Sequence, residues 1–390
     1  MNDQNVIIVG GGPVGMVLAL LLAQQNMAST VLEARQQGAA NLDTRALALS
    51  YGTKRIFDGL GIWQAVAAQA TAINTIHVSQ KGSFGRSVLK AQDSHQEALG
   101  YVLSYGALSA ALNAAIAEYS CIHLIDEASA EAIEHNALTA NVRYQRHHET
   151  IELSSDLVVL ADGGRSLEEA AGLTRDTKEY GHDALISKVS AELPHNNIAY
   201  ERFTAQGPMA LLPNGERQHA NQFSLVWTGK KATIETLLAL SDAEFLTQFH
   251  AQFGDRVGRF LSVEKRIAFP LKLSKLQSVD TPHLVVIGNA AQTMHPVAGQ
   301  GFNVGIRDAQ VLAKHIVKST APLGSKEMLE NYQAERKTDT KNGLLFTDFL
   351  VNIFSNDIMG LPAMRSAGLG LFDVLKPVKN HLVRKMSFGK

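Results

Sequence analysis

The chain is almost without cysteine: Cys121 is the one thiol in 390 residues. An intrachain disulfide, a Cys-x-x-Cys redox pair and a cysteine zinc site are thereby excluded. Charge of one sign is also missing, since 36 Lys and Arg stand against 37 Asp and Glu for a formal net charge of −1. No global field draws the chain to nucleic acid. Long apolar runs are absent from the opening helix, where Val14 to Ala23 is far short of the ~20 residues of a membrane span. That run follows a glycine loop rather than a basic leader, which argues against a signal peptide and points to the cytoplasm. There is no internal repeat and no low-complexity linker. What is present, 45% hydrophobic and 19% charged residues, describes a globular protein with room for two or three compact units.

The most informative stretch is the first thirty-odd residues. Asn5 to Val9 is short, apolar and β-branched, the pattern of a strand buried on both faces. Gly10-Gly11-Gly12-Pro13-Val14-Gly15 follows at once as G-x-G-x-x-G, and Met16 to Gln25 reads as an apolar helix stopped at Asn26. A second strand, Ser29 to Leu32, ends on Glu33, 18 residues beyond Gly15. In this βαβ half-unit Gly10 serves a tight turn, Gly12 lets a pyrophosphate approach the backbone, and Gly15 lets helix and strand pack closely. The helix N-terminus supplies N–H groups and a positive dipole end for the phosphates. Glu33 is placed to accept from an adenosine ribose and would repel a 2′-phosphate, so the site suits FAD or NAD.

Further along, Arg45 is a candidate fork for the pyrophosphate, and Ser50 a cap for a helix through Phe57 that closes near Gly59. Ile73 to Val78 and Ser87 to Leu89 read as strands leaving the nucleotide domain, and Ala107 to Tyr119 as a helix packing beside the sheet. Leu138–Tyr144 and Glu149–Leu153 form an expected hairpin whose adjacent His147 and His148 do not suit one metal ion. The strand Asp156 to Ala161 closes on Asp162-Gly163, placing a carboxylate at the carboxyl edge of a parallel sheet. Between Gly181 and Phe269 aromatic residues are spread through alternating segments, followed by a helix from Asp242 to Phe253. This predicts a second, sheet-rich domain, whose aromatics serve either a roomy apolar surface or a plain sheet core. Leu284 to Ile287 returns to the first domain and leads into Gly288-Asn289, His295-Pro296, Gly299, Gly301 and Asn303, then a helix from Val304 to about Val317. Its N-terminus, with Asn303 and the loop amides, is suited to negative charge on the pyrimidine end of a flavin. His295 and Pro296 are candidate pocket residues, with a structural loop role the alternative for His295. The stretch from Leu329 to Lys390 is read as helical, and its last part mixes apolar residues with Lys376, Lys379, Arg384 and Lys385. That pattern suits a membrane surface or a partner, and equally a helix packed on the body.

Three separated segments, the glycine fingerprint, Asp162-Gly163, and Gly288 to Asp308, together resemble one family: the FAD-dependent aromatic hydroxylases similar to para-hydroxybenzoate hydroxylase. The late segment resembles the ubiquinone-biosynthesis branch, and Asn289 and Gln292, where most relatives carry Asp and His, resemble the 2-octaprenyl-6-methoxyphenol hydroxylases. Glu169 stands where the family usually has an arginine.

The resemblance implies an α/β fold: a discontinuous Rossmann-like FAD-binding domain (1–75, 101–180, 275–340), a β-sheet substrate domain (76–100, 181–274) and a helical C-terminal region (341–390). It implies a monooxygenase in which NAD(P)H reduces FAD and O2 forms a flavin C4a-hydroperoxide that hydroxylates a prenylated phenol. The FAD-binding residues carried over are Gly10, Gly12, Pro13, Gly15, Glu33, Arg45, Asp162, Gly288, Asn289, Gly299, Gly301 and Asn303, with no metal. A single dinucleotide fingerprint leaves NAD(P)H to bind without a Rossmann domain of its own. A sister hydroxylase acting at another ring position, a non-catalytic flavoprotein subunit and an ordinary NAD dehydrogenase are the competing readings. A ubiquinone-biosynthesis complex and a peripheral place at the inner face of the membrane are the implied surroundings.

Overall fold

The computed structural model describes residues 6–82, 85–166, 173, 175–215, 219–276, 281–293, 300–339, 373 and 375–389. Its first layer is a five-stranded parallel sheet in the order β19 (Leu284–Val286), β12 (Leu157–Leu160), β1 (Val6–Val9), β2 (Ser29–Leu32), β8 (Ile122–Ile125). The Val-Ile-Ile-Val run of β1 is buried throughout, because each face of the sheet is covered. Val6, Ile8, Val31, Leu157 and Val159 face the helices α1 (Pro13–Ala23), α4 (Tyr105–Ala117) and α7 (Gln300–Lys318). Ile7, Val9, Leu32, Val158 and Leu160 pack on Ile133, Val142 and Tyr144 of the antiparallel sheet β9 (Ser129–His135), β10 (Ala140–Arg146), β11 (Glu149–Ser155). The alternation of side chains across a strand thus fills two cores from one ribbon.

Local signals set the element ends. Pro13 opens α1 at its first position, where its missing N–H costs nothing. Asn26 takes the left-handed conformation just after that helix (φ 55°). Ser50 caps α2 (Tyr51–Gly59) by accepting from the Thr53 N–H at 3.2 Å. His147 and His148 form the turn of the β10–β11 hairpin, both with positive φ. A smaller antiparallel sheet, β3 (Ala46–Ser50), β7 (Gly100–Ser104) and β4 (Thr71–Ile73), carries α2 and α3 (Ile62–Val66) beside the parallel layer.

The second large layer is a nine-stranded sheet. Its order is β20 (Gln292–Thr293), β18 (Ile267–Leu276), β13 (Arg175–Ala191), β16 (Gln222–Lys230), β15 (Gly207–Pro213), β14 (Ile198–Thr204), β5 (Thr75–Gln80), β6 (Arg86–Lys90), with β17 (Phe260–Val263) also on β13. The parallel pairing of β14 with β5 joins residues 75–90 to the later segment. One face is sealed by α5 (Lys231–Ala239) and α6 (Asp242–Phe253). There Phe223, Leu225 and Trp227 meet Phe245, Phe249 and Phe253, all fully buried. These aromatics are therefore sheet core. Helix α6 spans the residues expected of it, and Ser241 and Glu244 form its capping box.

Helix α7 starts at Gln300, four residues before the expected start at Val304, because Gly301 adopts helical backbone despite its weak propensity. A helix over residues 326–339 (α8) follows, and α9 (Lys376–Phe388) is the last element. Among the described residues no helix is long and apolar enough to cross a membrane.

Candidate functional site

A cleft of about 320 Å³ opens at the carboxyl ends of β1, β2 and β12, the position where ligands of doubly wound sheets bind. Its floor is the glycine run, and the glycines do different jobs there. Gly10 has φ 113°, and a Cβ on it would meet the Asp162 backbone at 2.6 Å. A Cβ on Gly15 would collide with the Gly10 carbonyl oxygen, so both glycines are required by the fold itself. A Cβ on Gly12 would find only Tyr105 Oη, at 3.8 Å. Gly12 is the N-cap of α1 and lines the cleft with Pro13. The space beside it is left open by the protein, facing the first-turn amides of α1.

Glu33 sits at the end of β2 and is 9% exposed. The Arg35 Nε donates to Glu33 Oε1 at 2.7 Å and the Arg35 amide donates to the same oxygen at 3.0 Å. Among the described residues the other oxygen has only a 3.5 Å contact with Arg35 Nη2. The Glu33 carboxylate holds the Arg35 guanidinium well above its ordinary pKa. Arg45 also lines the cleft, paired with Asp43 and lying over the Tyr105 ring, its Cζ 5.5 Å from the centroid. Asp162 reaches the cleft wall, but its carboxylate closes its own loop, accepting from the Gly164 N–H (2.9 Å) and from the Ser166 N–H and Oγ (both 2.7 Å).

The opposite wall is Asn289, Gly301, Phe302 and Gly305. Among the described residues, a Cβ on Gly301 would have only Asn289 Oδ1 near it, at 3.7 Å, so the first turn of α7 carries little side-chain bulk at that point. Gly288 (φ 66°) lies beneath, its amide donating to Asp308 Oδ2 at 3.0 Å. Asp308 is buried and accepts from Arg336 Nε of α8 at 2.7 Å, while Arg307 pairs with Asp339 at 2.8 Å. Burial pushes the Asp308 carboxyl up against the pull of Arg336 and the Gly288 N–H. Asn303 lies inside the first turn of α7 rather than ahead of it, and its side chain is engaged within the protein. Its Oδ1 accepts from the Ser50 amide (2.7 Å) and Thr53 Oγ1 (2.8 Å), and its Nδ2 donates to the Ala48 carbonyl (2.9 Å). His295, Pro296 and Gly299 lie outside the described residues, as do Glu169 and residues 340–372.

Of the residues singled out from sequence, Gly10, Gly12, Pro13, Glu33, Arg45, Asp162, Asn289 and Gly301 line one cleft. Gly15, Gly288 and Asn303 stand behind it as supports. Arg35, Tyr105, Ser129 and Arg165 also line it and were not anticipated. A guanidinium two residues after the β2 acid was a usable signal for Arg35. Tyr105 opens α4 behind its N-cap Ser104, which accepts from the Ala107 N–H at 3.2 Å, and that serine was the usable signal.

The second sheet approaches this site through one continuous run. β19 leads through Gly288-Asn289 into β20, where Gln292 and Thr293 pair with Lys275 and Ser274 of β18. On the sheet face away from α5 and α6, Ile267, Ile186, Val226 and Ala210 form an apolar row across four strands. Ile267 and Phe269 there remain 40% and 37% exposed.

These residues fit FAD. The open ground at Gly12 suits a pyrophosphate, the less engaged Glu33 oxygen suits a ribose diol, and the first turn of α7 suits an electron-accepting ring. A model of the FAD binding domain family matches residues 3–344. Ubiquinone hydroxylase UbiL of Rhodospirillum rubrum is 32% identical over 387 residues, covering 97% of this chain and 88% of that one. The 3-demethoxyubiquinol 3-hydroxylase of Escherichia coli is 29% identical over 380 residues, 93% of each chain. The crystal structure of p-nitrophenol 4-monooxygenase PnpA from Pseudomonas putida shares the fold, with a TM-score of 0.78 over 98% of this chain and 97% of that one at 15% identity. With the glycine run, the acid at the end of β2 and the first turn of α7 meeting in one cleft, the chain belongs to the FAD binding domain family and is one of its FAD-dependent monooxygenases.

Proposed function

We propose that this chain hydroxylates a prenylated phenol of ubiquinone biosynthesis, with NAD(P)H and O2 as co-substrates. The observation that carries the reading is the run 284–293, which leaves the cofactor cleft and enters a sheet with a partly exposed apolar row, its Ile267 and Phe269 40% and 37% exposed. A polar nucleotide and an apolar ring with a long tail are thereby offered adjoining surfaces. In this reading residues 1–75, 101–180 and 275–340 form the FAD-binding part, 76–100 and 181–274 the substrate part, and 341–390 the C-terminal region.

Bound FAD supplies the reduction and oxygen activation that no side chain provides. The chain's own residues bind and orient. Gly12 and Pro13 offer the first turn of α1 to the pyrophosphate, Arg45 adds a guanidinium fork, and Glu33, set by Arg35, accepts from the ribose. Asp162 fixes the loop beside the ribityl chain, and Asn289 and Gly301 face the ring system with Gly288 beneath. The row Ile267, Ile186, Val226 and Ala210 excludes water from the acceptor's side. His295, Pro296 and Gly299 complete the loop in this proposal.

A prenylated substrate stays in the bilayer, so the protein is expected at the inner face of the membrane or beside a partner of a ubiquinone-biosynthesis complex. Leu375 and Val378 of the α9 region are 41% and 47% exposed, with Arg384 exposed nearby. Lys379 does not contribute to such attraction, being buried and paired with Asp373 at 2.9 Å.

The test is to incubate the purified protein with NAD(P)H, isotopically labelled O2 and a set of prenylated phenols, and to weigh the products. Gain of one labelled oxygen on the ring, with the same phenol accumulating in a strain lacking the chain, is the expected result. A yellow protein that consumes no NAD(P)H with any phenol overturns the reading in favour of a flavin-bound assembly subunit. Label at an unexpected ring position assigns it to a sister hydroxylase.

A further inference from the structure

Helix α9 touches both halves of the molecule. Ahead of it, the Asp373 carboxylate accepts from the Val88 N–H (2.9 Å) and Ser87 Oγ (3.2 Å) on β6 of the large sheet. At its middle, Val383 is buried among Ile73, Leu89, Val102 and Ala199. At its end, the Ser387 carbonyl accepts from Ser50 Oγ at 3.3 Å. Gly52 is the reason that carbonyl fits, since a Cβ there would collide with it. Gly389 follows with φ 74°, and a Cβ on it would collide with the Asp339 carboxylate.

From these two contacts, polar chains run to the two components of the second cleft wall. Ser50 donates its amide to Asn303 Oδ1 (2.7 Å), and Asn303 belongs to the α7 turn that carries Gly301 and Phe302. Asp339 pairs with Arg307 (2.8 Å) and with Arg336, and Arg336 donates to Asp308 (2.7 Å), which accepts the Gly288 amide (3.0 Å). Every member of both chains is buried. Directional bonds among buried groups tolerate little displacement, so the place of α7 and of the Gly288-Asn289 turn is set from the far end of α9.

We infer that α9 is a positioning strap for the flavin: Ser387 is bonded to Ser50 and Gly389 packs closely against Asp339, and through them α9 positions the backbone that faces the ring system. Ser50, Gly52, Asp339 and Gly389 are thus positioning residues remote from the cleft. The inference rests on the FAD reading of the cleft, and the experiment separates the two.

Gly52→Ala and Gly389→Ala each place one methyl group against α9 or its anchor, and exposed Arg384→Ala on the same helix is the control. The apoprotein of each is titrated with FAD, and the midpoint potential of the reconstituted flavin is measured. Both glycine variants are expected to bind FAD about tenfold more weakly, the worth of one net hydrogen bond. Both should also show a lower potential than wild type, because the α7 terminus retreats from the developing negative charge. The control should match wild type. A fall in melting temperature with unchanged affinity and potential makes α9 merely structural and overturns the inference, as does an equal effect of Arg384→Ala. If Gly52→Ala does not fold, Gly389→Ala carries the test, because its substitution lies one residue beyond the last turn of α9. Failure of wild-type protein to bind FAD refutes the FAD reading, on which the strap depends. Normal wild-type binding with unaffected glycine variants refutes the strap alone.

Discussion

Gly12→Val separates the fold's need for glycine from the ligand's. Valine at an N-cap costs about 1 kcal/mol relative to a preferred residue, and the nearest protein atom to the new Cβ is Tyr105 Oη at 3.8 Å. The apoprotein should therefore fold and melt within a few degrees of wild type, since 1 kcal/mol moves a domain of 150–250 residues by about 2–4 °C. Its two γ-methyls extend over the first turn of α1, into the ground left open for a phosphate. Losing two charge-assisted N–H bonds, at about 1.5–3 kcal/mol each, removes about 3–6 kcal/mol. That is a loss of two to four decades in FAD affinity. The assay is the flavin absorbance of purified protein, then titration of the apoprotein with FAD. Stoichiometric FAD in the variant would refute the placement of the phosphates. Gly15→Ala provides the contrast: its methyl collides with the Gly10 carbonyl, so stability is expected to fall before affinity can be measured.

Four other outcomes are expected. Arg45→Ala should weaken FAD binding by about one to two decades, the worth of a charged hydrogen bond; unchanged affinity would leave Arg45 only its pairing with Asp43. Gly301→Val should retain FAD but lower its reduction potential and slow reduction by NAD(P)H, and a normal potential would mean that this face of α7 looks elsewhere. Asp308→Asn breaks a buried ion pair with Arg336 and should cost about 3–5 kcal/mol in urea unfolding, a change under about 1 kcal/mol being contrary. Burial pushes the Asp373 carboxyl up, but the Val88 N–H and Lys379 outweigh it and hold its pKa below the usual value. A depressed carboxyl contributes stability above about pH 4 and loses it as pH falls through the lower folded value. Proteolytic release of α9 should therefore rise at that acid end, and be high at all pH in Asp373→Ala.

Four of the five parallel strands were legible because they are apolar and β-branched, β8 was not because His123 interrupts it, and α6 was because Ser241, Glu244 and a helical period agree. The glycine fingerprint announced a phosphate site, yet only packing distinguishes Gly12 from Gly10 and Gly15. The early start of α7 was hidden by Gly301, which reads as loop and serves as helix. The engagement of Asn303 with Ser50 and Thr53 spans about 250 residues of chain, and no local pattern carries such a contact. The pairing of β5 with β14 is hidden for the same reason. The basic, apolar character of the last helix admitted two readings from sequence. The structure buries Val383 and Lys379 against the body while leaving Leu375 and Val378 open.

The strand pair β18–β20 has a consequence for building chimaeras. Residues 284–293 are a strand of one sheet at their start and of the other at their end. The two halves are therefore not interchangeable modules joined by a linker. A graft of a foreign substrate sheet that cuts between 276 and 284 would set a foreign β18 beside the host's Gln292-Thr293 and put the β18–β20 pairing at risk. Recombination that carries 175–293 as one cassette keeps the β13–β18 and β18–β20 pairings intact, and swaps made this way should give folded, flavin-loaded hybrids where shorter ones aggregate through the exposed edge.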